Sequence, residues 1–348
     1  MTALLPTTTA KASDVGAVRS LNEDYVEGRE LGRGSRSDAD PRYVAVVADG
    51  MGGHNCGEIA SRLAVETFLG SVEDSVSGDP DEDLPEYRIA RAFRAANDAV
   101  YRESQVSEKA TGMGTTLTAA VAFGNTLHIG HVGDTRAYLV RAGTIRQITR
   151  DDSWVAEQVD SGVLTEEEAH ASEHRSLLTR AIGTSPEVPI RTYREDLQEG
   201  DVLILATDGL HNALSGPEIG DILAASRDIR DACRHLIGLA KKRDGSDNIS
   251  VVCAEFGDRA RRAPTRPMLQ LAGDRSRRRG LLLLALILVI VAVVALTYGL
   301  SRTLGIFRTR VGLAESQAET RAGGARRVPA QPTPASKEPR QATREANR

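Results

Sequence analysis

Cysteine is scarce. Cys56, Cys233 and Cys253 are the only three in 348 residues, an odd set without paired spacing. That excludes a disulfide framework and the close Cys/His pairs of a zinc motif, and it fits a reducing compartment. A secretory leader is not expected either. Residues 1–10 have no basic start and no apolar core of sufficient length. Excess positive charge is missing from most of the chain. Residues 1–257 carry 26 Lys and Arg against 42 Asp and Glu, a net of −16, whereas residues 258–348 carry 18 against 6, a net of +12. An acidic body argues against nucleic acid as a partner. There is no internal repeat.

One long hydrophobic run is present. Gly280–Leu300 has no charged residue, and Leu281–Leu296 is wholly aliphatic. About 20 such residues span the hydrocarbon core of a bilayer. Arg275, Arg277, Arg278 and Arg279 abut the run on its N-terminal side, and the denser basic flank stays cytoplasmic. The expected order is a body over 1–257, a basic juxtamembrane linker over 258–280, a membrane helix over 281–300, and a disordered extracytoplasmic tail over 301–348. The tail is rich in Ala, Pro, Arg and Thr and poor in aromatics.

Within the body, Tyr43–Ala48, Val202–Ala206 and Ile249–Phe256 read as buried strands. Residues 57–72, 87–105, 218–226 and 229–242 carry apolar residues at helical spacing. Residues 115–123, 126–131, 136–141 and 144–148 read as one meander, turned by Gly124-Asn125 and Ala142-Gly143. Short helices are expected at 153–161 and 165–169, where three Glu follow Thr165 as a helix start prefers. Helices come in pairs between groups of strands, so the order predicts layered α+β rather than a regular parallel βαβ fold.

Acidic groups punctuate the strand ends: Glu23-Asp24, Asp49-Gly50, Asp134, Asp208-Gly209 and Asp247-Asn248. Each has an ordinary reading. Asp-Gly after a strand is a common turn, Asp247-Asn248 could form Asx turns, and Glu23-Asp24 could be a solvated pair. Together they suggest an oxygen-lined cage for hard divalent cations.

The strings in which these acids lie carry a resemblance. They are Ser13-Asp14-Val15-Gly16 with Arg19 and Asn22-Glu23-Asp24; Asp49-Gly50-Met51-Gly52-Gly53-His54; Gly112-Met113-Gly114-Thr115-Thr116-Leu117; His131-Val132-Gly133-Asp134-Thr135-Arg136; Leu178-Thr179-Arg180-Ala181-Ile182-Gly183; Ala206-Thr207-Asp208-Gly209-Leu210; and Asp247-Asn248-Ile249-Ser250. In this order the body resembles the metal-dependent protein phosphatases of the 2C type, in their bacterial Ser/Thr branch.

The resemblance implies a four-layer αββα sandwich of two antiparallel sheets with a metal site in the cleft between them. Carried over by residue, Asp49, Asp208 and Asp247 look like ligands of one Mn²⁺ or Mg²⁺. Glu23, Asp49 and the Gly50 carbonyl look like ligands of a second, and Asp134 with Asp208 resembles a weaker third site. Arg19 matches the phosphate-binding arginine. The implied reaction is hydrolysis of phosphoserine and phosphothreonine in proteins by a metal-activated water, opposing Ser/Thr kinases at the membrane. Met51 stands where eukaryotic relatives carry a histidine, leaving His54 as a candidate proton donor. Residues 149–182 correspond to the family's flap, but Asp151-Asp152-Ser153 replaces a frequent Asp-His-Ser. Trp154, the only tryptophan, is expected to pack on the body. Two rival readings are a catalytically silent, phosphopeptide-binding or scaffolding module and an enzyme of the same superfamily acting on anti-sigma-antagonist-type partners. Retention of all four ligand carboxylates opposes the first, and a substrate panel separates the second.

Overall fold

The computed structural model describes residues 4–31, 40–52, 56–74, 84–106 and 110–257. His54 and the expected linker, membrane helix and tail lie outside the described residues. Among the described residues no helix is long and apolar enough to cross a membrane.

The chain runs β1 (Thr7–Asp14), β2 (Asp24–Glu30), β3 (Pro41–Met51), α1 (Gly57–Asp74), α2 (Pro85–Val106), β4 (Gly114–Thr115), β5 (Leu117–Phe123), β6 (Thr126–Val132), β7 (Arg136–Arg141), β8 (Thr144–Gln147), α3 (Trp154–Asp160), α4 (Glu166–Ala171), β9 (Arg191–Asp196), β10 (Asp201–Ala206), α5 (Asp208–His211), α6 (Gly216–Ala225), α7 (Ile229–Arg243) and β11 (Ile249–Phe256). One sheet has the order β1-β11-β10-β7-β8 and the other β2-β3-β5-β6-β9, with β4 beside β3. Every described pairing is antiparallel.

Strand alternation builds the layers. In β3, Val44, Val46 and Ala48 face α1 and α2, where Phe68 and Phe93 meet edge to face at 5.2 Å. Tyr43, Ala45 and Val47 face the other sheet. In β11, Ile249, Val251 and Cys253 pack under α5 and α7, while Val252, Ala254 and Phe256 enter the inter-sheet core. Three apolar layers therefore hold four layers of backbone, and the central strands of both sheets are buried on both faces. That is the αββα arrangement expected for the body.

The meander reading is corrected at its middle. β5 and β6 pair in the six-stranded sheet, but β7 and β8 belong to the other. The chain changes sheet at Gly133, whose φ is +108°. Only glycine adopts that backbone readily, and a Cβ there would meet Thr116 Cγ2 at 2.6 Å. The expected α4 start is a capping box: Thr165 Oγ1 accepts from Glu168 N–H, and the Glu168 carboxylate accepts from Thr165 N–H.

Candidate functional site

The period of two that buries β3 also aims its last acid. Tyr43, Ala45 and Val47 line the inter-sheet core, so Asp49 emerges on the same side at the mouth between the sheets. Asp24 lies directly opposite it in register on β2. Two carboxylates facing across strands repel, and Asp24 is only 8% exposed. It is therefore not the solvated residue that its sequence suggested. Thr207, just past the end of β10, donates its hydroxyl to Asp24 Oδ2 at 3.0 Å and so ties the two sheets together at the mouth.

Other acids converge on this pair. Burial is the chief cause that pushes the Asp24 carboxyl up to about 7, against lowering by hydroxyls of Ser250 and Thr207 and with added repulsion from Asp208 and Asp247. Asp49 is raised well above the carboxylate range by burial, then by the charges of Asp24, Asp208, Asp134 and Asp247. Asp208, which opens α5, is pushed up to about 6 by burial and then Asp247. Asp134, in the turn between β6 and β7, is raised by burial, then Asp208 and Asp151. Burial also raises Glu23, partly countered by Arg19 and the Gly57 N–H. Five separate chain segments thus place carboxylates within electrostatic reach of one another.

These groups fit divalent cations. Asp24 Oδ1 and Asp208 Oδ1 are buried without a hydrogen-bond partner, a costly arrangement for a carboxylate. A Cβ on Gly50 would meet the Gly57 carbonyl at 2.1 Å and the Glu23 carbonyl at 2.7 Å. A Cβ on Gly57 would meet Glu23 Oε1 at 2.6 Å and the Gly50 carbonyl at 2.8 Å. Glycine at both positions therefore lets the Gly50 carbonyl and the Glu23 carboxylate share one cradle beside the start of α1. All donors are oxygens, which suits Mg²⁺ or Mn²⁺. Among the described residues no three acids, imidazoles or thiols are drawn into a closed ligand cluster. Mg²⁺ and Mn²⁺ retain several waters in place of protein ligands.

Arg19 reaches the same mouth. Its Nη2 donates to Asp247 Oδ2 at 2.9 Å, and its guanidinium is raised chiefly by the Asp247 charge, with Glu23 and Asp49 adding to it. The loop that carries Arg19 is clamped by Asn248. Asn248 Oδ1 accepts the Glu23 N–H at 2.8 Å, and Nδ2 donates to the carbonyls of Val15 at 3.0 Å and Leu21 at 2.9 Å. Neither Asn248 nor Asp24 was assigned an individual role from sequence. For Asp24 the spacing to Val26 was a readable signal, because two residues along one strand share a face. The Asn248 contacts are to backbone and leave no side-chain pattern.

Beside the mouth lies a cavity of about 410 Å³ that shares Asp134 and Asp208 and is walled by α3 and α4. His211 lines it, buried. Its Nε2–H donates to the Asp134 carbonyl at 3.1 Å. Trp154 does not find its ring partner in the body; its indole meets His174 edge to face at 5.3 Å within the same excursion. The structure thus brings Arg19, Glu23, Asp49, Gly50, Asp208 and Asp247 to one mouth and Asp134 to its rim.

Comparison with known proteins gives a consistent relationship. The family described as protein phosphatase 2C matches residues 20–242. The chain is 38% identical over 249 residues to the serine/threonine protein phosphatase PstP of Mycobacterium tuberculosis, covering 72% of this chain and 45% of PstP. The chain therefore spans less than half the length of that relative. Protein phosphatase PhpP of Streptococcus pneumoniae is 35% identical over 246 residues, covering 71% of this chain and 96% of PhpP. A crystal structure of M. tuberculosis PstP/Ppp superposes with a TM-score of 0.63 at 35% identity, covering 72% of this chain and 99% of that one. The PstP catalytic domain in complex with two manganese ions gives the same TM-score and identity, covering 74% and 100%.

Proposed function

The chain belongs to the protein phosphatase 2C family, and we propose that it hydrolyses phosphoserine and phosphothreonine in proteins with two Mn²⁺ or Mg²⁺ ions as cofactors. The observation that carries this is Asp49. It is half-buried at the mouth between the sheets and feels the charges of Asp24, Asp208, Asp134 and Asp247. Asp49, Asp208 and Asp247 would hold one ion. Glu23, Asp49 and the Gly50 carbonyl would hold the other, and Asp134 with Asp208 would take a weaker third. When bound, such ions supply a nucleophile from water near neutral pH and screen phosphoryl charge.

The remaining work falls to the chain. Arg19 presents a planar fork that binds two phosphoryl oxygens, and its Asp247 bond keeps it pointed at the mouth. Asn248 fixes the loop that carries both Arg19 and Glu23. No protein nucleophile is required; Cys56 is buried. His54 is the candidate proton donor to the leaving alkoxide.

The apolar run Gly280–Leu300 supports a single-span anchor, and the Arg275–Arg279 flank supports a cytoplasmic catalytic body. Tethering raises the effective concentration near membrane Ser/Thr kinases and their targets.

The full chain should release phosphate from a phosphothreonine peptide in Mn²⁺ or Mg²⁺ and lose that activity in excess EDTA. Asp49→Ala and Asp208→Ala should each lower turnover by at least about 10³-fold, because each removes a shared ligand. Undiminished activity in EDTA contradicts the reading. Removal of residues 280–300 should move the activity from the membrane fraction to the supernatant; activity already in the supernatant with the run intact contradicts the anchor.

A further inference from the structure

The excursion that walls the cavity leaves and rejoins the body through a narrow neck. Ser153 bridges Leu178, and Trp154 N–H donates to the Leu177 carbonyl at 2.8 Å. At the base of that neck stands Asp152, its carboxylate fully buried. Oδ1 accepts from both Arg180 Nη1, on the returning strand of the neck, and Arg191 Nε, on β9, the latter at 2.8 Å. Oδ2 faces the Gly133 N–H at 3.4 Å. The Asp152 backbone is engaged as well. Its N–H donates to the Gly133 carbonyl at 2.7 Å, and its carbonyl accepts the Thr179 N–H at 2.8 Å.

One residue therefore joins four segments: the entry to the excursion, its exit, an edge strand of the six-stranded sheet, and the turn that carries Asp134. The position is also where the chain departs from the Asp-His-Ser of the family it resembles. A neutral imidazole cannot receive two guanidinium donors on one atom, so this set of contacts belongs to the aspartate. The arginines are about a third exposed, at 29% and 31%. Solvent screens them, whereas the carboxylate has no water to fall back on. The cavity wall formed by Val155, Val159 and Ala169 hangs from this joint.

We propose that Asp152 is a positioning residue that locks the neck of the 153–178 excursion to the Gly133–Asp134 turn, and so sets the wall against which a phosphopeptide lies. The part concerning substrate rests on the phosphatase reading; the lock itself does not. Asp152 touches no reacting atom. It acts through the placement of the excursion, so its loss weakens binding of an extended substrate more than it slows a small one.

The test uses the full chain with Asp152→Asn, Arg191→Gln and the double variant. Hydrogen–deuterium exchange over residues 153–178 should rise about tenfold in Asp152→Asn, with α1 and α7 unchanged. For a phosphothreonine peptide, KM should rise about tenfold with kcat within about twofold, while p-nitrophenyl phosphate turnover stays within about twofold. The double variant should fall well short of the product of the two single effects, since both sever one joint. Wild-type protection of 153–178 in Asp152→Asn overturns the proposal, as does an equal loss of kcat on both substrates or independent effects of the two substitutions. Should Asp152→Asn fail to fold, Arg191→Gln reads the same exchange and the same KM split. If the wild-type chain hydrolyses neither substrate with Mn²⁺, the phosphatase reading fails while the exchange result still decides the lock.

Discussion

Asp24 holds its proton up to about pH 7, against an ordinary value of 3.8. Below about pH 4 folded and unfolded chains both carry that proton, and above about pH 7 neither does. Between these limits the unfolded chain releases it first. The chelated protein should therefore lose stability as pH rises from about 4 to 7, by on the order of 3 kcal/mol from this residue. Asp24→Asn keeps an acceptor for Thr207 and removes the charge. In EDTA at pH 7 it should raise Tm by about 6–12 °C, while turnover in Mn²⁺ falls because the mouth loses negative charge. A wild-type Tm flat across that pH range, or a lower Tm for the variant, contradicts this. Such a trade is expected where a site stores repulsion for a ligand. Most acids of the mouth were readable from sequence because each ends an apolar run. Asp24 was obscured by its neighbour Glu23, since a pair of adjacent acids reads as solvated until the strand register opposes one of them to Asp49.

Elements with buried faces were legible, whereas among the edge strands only β8, marked by the Ala142-Gly143 turn, was read. Residues 57–72 and 229–242 read as helices from their apolar spacing, and the structure extends them only to Asp74 and Arg243. β1, β2 and β9, with sequences TTTAKASD, DYVEGRE and RTYRED, were missed. They sit at sheet edges with partly exposed faces, where tertiary pairing rather than hydrophobicity decides the state. The β7–β8 turn was recognised from Ala142-Gly143, but its strain was not. Ala142 has φ +49°, a left-handed conformation that costs an alanine about 1 kcal/mol. Asn tolerates it and suits a two-residue hairpin with a following Gly. Ala142→Asn should raise Tm by about 2–4 °C with unchanged turnover; a lower Tm would show that the turn is not under this strain.

At the scale of the molecule, the αββα layering has one purpose visible in its contacts. Central strands buried on both faces hold their ends rigidly, and the Thr207–Asp24 bond joins the two sheets across the mouth. Only this packing brings residues as far apart in sequence as Arg19 and Asp247 to 2.9 Å. Sequence order could suggest layers, yet it could not reveal that the chain changes sheets at Gly133, because the crossing depends on a backbone angle and not on side-chain pattern. The most direct measurement of the central claim is anomalous scattering from crystals of the chain grown in Mn²⁺. The account predicts one peak among Asp49, Asp208 and Asp247 and a second among Glu23, Asp49 and the Gly50 carbonyl. Crystals saturated with Mn²⁺ that show no ion at Asp49 would contradict it.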